Sequence, residues 1–183
     1  MSLPRTRAAL RLDELRESFD SSFSRPPPPQ QEPGEALLRL RVGGAPLAVR
    51  LGHLSGLHLM PRLVRLPGSP ASFLGLAGLR GQLIAVHDVA ALLGLQAGEP
   101  PRWLLLAGGS RRVGLAASGF EGQLRATREQ LRTEGGSSAA HPLLNTSVLV
   151  PGTPPLPVLD VEALVRKLLE DASGPQQGRG RTS

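Results

Sequence analysis

The sequence predicts a mainly β fold built from two small β-barrel subdomains, with short helices and a C-terminal helix. Aliphatic residues alternate with charged or small residues in short segments, which is typical of half-buried strands. Gly and Pro separate these segments, as expected of tight turns. Parts of the pattern also recur at offsets of 65 and 72 residues. Short strands at this spacing favour small barrels, because a sheet that closes on itself has no free edges.

The globular part is predicted to open at Glu35 with a β-hairpin. Gly43 and Gly44 separate two alternating segments and permit a tight turn. In the first segment arginines occupy the intervening positions, so that one face is aliphatic and the other charged. The aliphatic positions of the two segments are Leu38, Leu40, Val42, Leu47, Val49 and Leu51.

A second hairpin of the same type is predicted 65 residues later, where residues 103–107 lead into Gly108 and Gly109. At an offset of 72, residues 83–95 align with the first thirteen residues of the segment 155–168. Each of these segments reads as an apolar strand, an Asp and an Ala/Leu-rich helix. Asp88 and Asp160 are predicted to be helix N-caps, and Gly94 to end the first helix. The pairing at two offsets indicates a weak internal duplication.

Three regions are predicted along the chain. Residues 1–34 hold an amphipathic helix, with an apolar stripe at Leu12, Leu15, Phe19 and Phe23, and a proline-rich linker. Residues 35–171 form the domain. Residues 172–183 form a disordered tail, since no hydrophobic anchor follows Leu169.

Composition excludes several classes of function. The chain of 183 residues has no cysteine and 3% aromatic residues, which disfavours thiolate metal sites and base-stacking modules. His53 and His58 lack metal-ligand spacing, and no nucleophile elbow or phosphate loop is present. We therefore predict no enzyme activity, no metal and no cofactor. The sequence contains no transmembrane or secretory segment, which predicts a cytoplasmic protein without direct membrane insertion. A net charge of +6 leaves nucleic-acid binding as a lower alternative.

Residues 73–95 carry an ordered motif. Gly75 precedes a Leu-Arg-Gly triplet that ends at Gly81, and an apolar strand over residues 83–86 then leads to Asp88. This order resembles the signature of the CheW family of chemotaxis adaptors. Further segments fall in family order at residues 66–70, 112–115 and 158–160. The resemblance covers about residues 35–170 and implies two five-stranded, SH3-like β-barrels.

The resemblance also implies partners. CheW-like domains bind the cytoplasmic tips of methyl-accepting chemoreceptors in a groove between the subdomains, pair with a CheA-type histidine kinase, and associate with other CheW-like proteins. The receptor-binding candidates carried over are Gly75, Arg80, Gly81 and Leu83, and the kinase-binding candidates are Leu54, Gly56 and Leu57. An alternative for Arg80 and Gly81 is a solvated hairpin turn. An Arg at this contact would suit a helix tip, because the several N–H donors of its guanidinium group bind carboxylates and carbonyls.

Departures from the family pattern open a second hypothesis. Gly78 replaces the family's Asn, and Ala85 replaces a strand Pro. Gly56 stands where the family has Glu, and Ser118 where it has Asp. Because two acidic positions are lost, the chain is either a full adaptor for receptor and kinase or a divergent adaptor. The divergent form would keep a receptor or CheW-like partner without kinase binding.

Overall fold

The computed structural model describes residues 34–96, 98–109, 112–133 and 141–173. The predicted N-terminal helix and its linker lie outside the described residues, as does the tail beyond Ser173. The strands are β1 Glu35–Val42, β2 Ala45–Arg50, β3 Leu54–Leu59, β4 Leu63–Val64, β5 Phe73–Leu79, β6 Gln82–Asp88, β7 Trp103–Ala107, β8 Val113–Ala117, β9 Gly119–Ala126, β10 Leu131–Thr133, β11 Thr146–Val148 and β12 Leu156–Leu159. The helices are α1 Val89–Leu92 and α2 Val161–Ser173, and a 3-10 turn covers Leu51–His53.

These strands form two six-stranded sheets. Sheet A has the order β10-β11-β12-β2-β1-β9, and sheet B has the order β3-β7-β8-β6-β5-β4. The predicted mainly β fold with two subdomains, short helices and a C-terminal helix is confirmed. Each sheet contains five strands, the number expected for each barrel, and one further strand at its edge. The further strand is β4 in sheet B, with two residues, and β10 in sheet A, with three residues.

The two sheets are related by a shift of six strands along the chain. If six is added to or subtracted from each strand number of sheet B, the result is the order of sheet A, read from its other end. The shift also conserves the pairing directions, since β6 pairs with β8 in parallel and β12 pairs with β2 in parallel. The internal duplication is therefore structural. Its copies are interleaved, because each sheet combines the first hairpin of one copy with the remaining strands of the other.

Both sheets curl strongly. In sheet B, β3 and β4 lie at opposite ends of the strand order, yet only residues 60–62 connect them. Three linking residues span at most about 15 Å, whereas the outer strands of a flat six-stranded sheet lie about 24 Å apart. The link of residues 127–130 between β9 and β10 imposes a similar limit on sheet A, about 19 Å. Each sheet must therefore bend back toward itself, as in a barrel.

The largest hydrophobic core lies between the sheets and the helices. It joins β1 and β2 of sheet A to β7 and β8 of sheet B, with α1 and α2 packed against it. Leu38, Leu40 and Val42 all enter this core, which confirms the predicted aliphatic face of β1. Two smaller cores lie against single sheets, one around Leu37 and one around Ile84.

Local sequence signals account for the turns and helix ends. Gly43 and Gly44 have φ of 55° and 81°, the left-handed values that a two-residue hairpin loop requires. The predicted strand through Leu51 is one correction, because β2 ends at Arg50 and Leu51 begins the 3-10 turn. Gly94 ends α1 with φ of 65°, and its N–H donates to the carbonyl of Ala91.

Both predicted N-caps form. The Asp88 carboxylate accepts from the N–H of Ala90 at 2.9 Å, and the Asp160 carboxylate accepts from the N–H of Ala163 at 2.9 Å. We expect Asp160→Ala to lower the free energy of unfolding by about 1 kcal/mol, because this bond satisfies a free N–H of α2. A thermal melt should show a decrease of about 2–4 °C. Asp160→Asn keeps the acceptor and should melt near wild type, while an unchanged melt for Asp160→Ala would contradict the capping role.

Candidate functional site

The hairpin loop between β5 and β6 consists of Arg80 and Gly81. Their φ values of 50° and 77° are both left-handed, and Leu79 pairs with Gln82 directly across the loop. Gly81 suits this geometry, whereas an L-residue such as Arg80 is disfavoured there by roughly 1 kcal/mol. Arg80 is the only non-glycine residue with positive φ in the described part of the chain. The loop thus holds an exposed guanidinium at a position where Asn or Gly would be less strained.

An aliphatic surface lies beside this loop on the outer side of sheet B. Val64 pairs with Leu76, and Leu76 pairs with Ala85, so these three side chains share one face across β4, β5 and β6. Leu83 lies two residues before Ala85 and projects from the same face. The exposed fractions of Val64 and Leu83 are 63% and 76%. We call Val64, Leu76, Leu83 and Ala85 the hairpin face.

The hairpin face continues into the core between the sheets. Ala85 pairs with Val113 of β8, and Val113 pairs with Ala107 of β7. Both of these partners are buried in the inter-sheet core. One side of sheet B is therefore apolar across its whole width, and the hairpin face is its exposed part.

Gly75, the fourth receptor-binding candidate, is buried within β5. Its φ is 139°, and a Cβ atom built on it would lie 2.5 Å from the carbonyl oxygen of Val64. A register shift occurs at the same point of the pairing between β5 and β6. Gly75 thus allows β4 to approach β5 closely, and it presents no side chain to a partner. The structure brings Arg80, Gly81 and Leu83 together at the surface and places Gly75 apart from them, buried opposite Val86.

The three kinase-binding candidates lie on β3, at the opposite end of the strand order of sheet B from β4. Leu54 and Leu57 are half-buried and pack against the inter-sheet core. Gly56 lies at a bulge in the pairing with β7. A Cβ atom at Gly56 would lie 2.8 Å from the Nε2 atom of His58, so the imidazole covers the position of the family's Glu side chain.

A second exposed apolar cluster was not predicted from the sequence. Leu59 of β3 pairs with Trp103 of β7, and the Trp103 ring lies 5.6 Å from the ring of Phe120 on β9. Because β9 belongs to sheet A, this cluster joins the two sheets. Leu59 is 70% exposed and Phe120 is 38% exposed. We call these three residues the aromatic seam. Its one signal in the sequence is the single Trp of an aromatic-poor chain.

Sheet A carries an ion cluster on β1 and β9. The Glu121 carboxylate accepts from Arg41 Nε at 3.0 Å and from the Arg41 terminal nitrogen at 2.5 Å, and its other oxygen lies 2.7 Å from Arg39 Nε. The hydrogen bonds from Arg41, with the charges of both arginines, lower the pKa of Glu121 below its ordinary value. The carboxylate therefore stabilises the pairing of β1 with β9 while it is ionised.

This cluster predicts a pH dependence of stability. A carboxyl group with a lowered pKa contributes stability above its unfolded pKa, near pH 4.3, and loses it as the pH falls further. Between pH 6 and pH 3 we expect wild type to lose up to about 1 kcal/mol more than Glu121→Gln. Urea titrations of both proteins at several pH values measure this difference. Parallel losses in the two proteins would refute a contribution from Glu121.

The histidines each have a different environment. His53 lies 3.6 Å from Glu162, the His87 ring packs edge-on against Phe73, and His141 Nδ1 accepts from the N–H of Leu143. Burial lowers the pKa of His87. Among the described residues no group of three or more His, Asp or Glu side chains could hold a metal ion. A groove of about 550 Å³ beside α2 is lined by aliphatic side chains with His53, Glu162 and Arg166.

The fold and these surfaces define a two-subdomain β protein that exposes an apolar sheet face beside a cationic hairpin. The family model of the CheW-like domain matches residues 36–169. The chain therefore belongs to the CheW-like family, as the sequence motifs predicted. The crystal structure of the scaffolding protein TtCheW from Thermoanaerobacter tengcongensis is similar, with a TM-score of 0.62. The two chains are 11% identical, and the match covers 69% of this chain and 89% of that one.

No curated protein matches the sequence. In the described part of the chain, no helix has both the length and the apolar character needed to cross a membrane.

Proposed function

We propose that this protein is a non-catalytic cytoplasmic adaptor of chemotaxis-type signalling, recruited to chemoreceptor clusters. It would bind the cytoplasmic tip of a methyl-accepting chemoreceptor and couple it to a CheA-type histidine kinase. Membership of the CheW-like family supports this role. The observation that carries it is the hairpin face, an exposed aliphatic surface with an arginine at its edge, because an apolar patch of this kind marks a protein contact.

The receptor tip is proposed to bind the hairpin face. Leu83 supplies apolar area that is largely exposed in the free protein. Arg80 supplies a rigid fork of donors that can bind carboxylates or the last carbonyls of a helix. The strained backbone of Arg80 also supports a contact role, since strain without a structural benefit is typical of functional positions. Gly81 permits the tight turn of the loop, and Gly75 permits the close approach of β4 to β5.

The second partner is proposed to bind along β3 and the aromatic seam. Leu59, Trp103 and Phe120 include two aromatic residues, the type most enriched at the centres of interfaces. This surface is built on β3, β7 and β9, whereas the hairpin face is built on β4, β5 and β6, so an adaptor could use both. The partner would be the kinase regulatory domain. The loss of Glu at Gly56 favours the alternative of another CheW-like protein or no kinase partner.

Co-purification with the cognate kinase's regulatory domain and with a receptor cytoplasmic fragment tests this function. We expect wild type to retain the receptor fragment in stoichiometric amount, and stoichiometric kinase binding would identify a full adaptor. Leu59→Asp should abolish the second interaction and leave receptor binding unchanged, because Leu59 is exposed and lies outside the hairpin face. Retention of the receptor fragment without the kinase domain would identify the divergent adaptor. Retention of neither would refute the proposal.

A further inference from the structure

The positive charge of this domain is unevenly compensated. Between Glu35 and Asp88 the sequence contains six arginines and no acidic residue. The three arginines on sheet A are paired: Arg39 and Arg41 with Glu121, and Arg50 with Glu35.

Of the other three arginines, Arg62 and Arg80 border the hairpin face. Arg62 and Arg65 flank the two residues of β4, and Arg80 forms the loop between β5 and β6. All three side chains are exposed, and none forms an ion pair with another residue of the described part of the chain. The exposed aliphatic surface thus has an uncompensated cationic border.

A notch interrupts the hairpin face at Gly78. Gly78 pairs with Leu83 and lies two residues after Leu76, so it belongs to the same face. It is exposed, and a Cβ atom built there would have no other atom within 4 Å. Continuing the register of β4 and β5 by one residue places Arg62 beside Gly78. The notch is therefore bordered by aliphatic side chains and by an arginine.

We infer that the hairpin face binds an acidic amphipathic helix, with one apolar side chain of the helix inserted at Gly78. The carboxylates of the helix would lie against Arg62 and Arg80. A helix fits because one turn presents an apolar residue with acidic residues three or four positions away. Gly78 and Arg62 thereby become specificity-determining residues. The inference rests on the proposed function, since the helix is that of the receptor tip.

An anionic lipid surface would neutralise the arginines, but it would not use the open space at Gly78. Lipid binding depends on summed apolar area and charge, and adding a valine at Gly78 would increase that area. Binding of a helix would instead weaken, because the valine side chain would occupy the space that the apolar side chain of the helix needs. Gly78→Val therefore separates the two partners by the sign of its effect.

The test measures the affinity of a receptor cytoplasmic fragment by calorimetry for wild type, Gly78→Val and Arg62→Glu. We expect Gly78→Val to weaken binding at least about tenfold, with an unchanged or higher unfolding midpoint, because valine favours strands. Arg62→Glu should weaken binding about tenfold at low salt and less at high salt. Gly52→Val, at another open glycine outside the hairpin face, is the matched control and should bind as wild type.

The outcomes separate the two proposals. If wild type does not bind the receptor fragment, the proposed function fails. If wild type binds and both variants bind equally well, the receptor contact lies elsewhere and the inference is overturned. Vesicles of phosphatidylglycerol provide the other arm. Tighter vesicle binding by Gly78→Val, with its receptor affinity unchanged, would identify a lipid partner and also overturn the inference.

Discussion

Replacing Gly75 by alanine is expected to lower the free energy of unfolding by about 3 kcal/mol or more. Two costs combine at this position. A φ of 139° is a conformation that L-residues rarely adopt, and the new Cβ atom would lie 2.5 Å from the backbone oxygen of Val64. A backbone oxygen cannot move away as the end of a flexible side chain can. Relief would require β4 to separate from β5.

Urea unfolding monitored by the single Trp measures the loss, and a thermal melt should fall by about 6–12 °C. Gly78→Ala is a matched control in the same strand. At Gly78 the Cβ atom would have no other atom within 4 Å and φ is not in the left-handed region, so this variant should match wild type within about 0.5 kcal/mol. Equal stability of the two variants would show that Gly75 is not required for the approach of β4.

Reversing the charge of Arg80 is expected to weaken binding of the receptor fragment about 10- to 100-fold. Arg80→Glu replaces a donor fork by a carboxylate that would repel an acidic helix, and like charges at a contact cost several kcal/mol at most. Folding should be nearly unaffected, because the side chain is exposed and forms no ion pair with a described residue. The change in affinity should shrink as salt is added.

Arg80→Asn serves as the control for the loop itself. Asn tolerates the left-handed backbone better than Arg, so this variant should be as stable as wild type or slightly more stable. It also lacks the charge, and its affinity for the receptor fragment should lie between those of wild type and Arg80→Glu. If both variants bind as wild type, the alternative of a solvated hairpin turn holds for Arg80 and Gly81.

The elements of this fold were predictable because their signals are local. Alternation identified β1, Gly43 and Gly44 identified its hairpin turn, and Asp88 and Asp160 identified the helix N-termini. In each case the hydrogen bonds or faces involved lie within a few residues of the signal. The same holds for the ordered motif of residues 73–95, which indicated the family that the comparisons then confirmed.

The candidate site was predictable only in part. The motif indicated Arg80, Gly81 and Leu83, and the structure places these residues together at the surface. The motif could not show that Gly75 is a buried structural residue, because its role depends on the backbone of Val64 in another strand. The aromatic seam was missed because Trp103 and Phe120 meet across two sheets. The cluster of Arg39, Arg41 and Glu121 was missed for a similar reason, since its members come from β1 and β9.

Local sequence patterns thus predicted the two Gly-Gly hairpins, the strands before Asp88 and Asp160, both N-caps and the duplicated pattern of this CheW-like domain. How the two copies combine became evident only in the folded chain. Sheet B joins β6 to β8 in parallel and sheet A joins β2 to β12 in parallel, which exchanges the first hairpins between the copies. Local periodicity cannot encode this exchange, because both arrangements bury the same faces. The choice depends on contacts between distant segments, and those contacts also leave the hairpin face exposed.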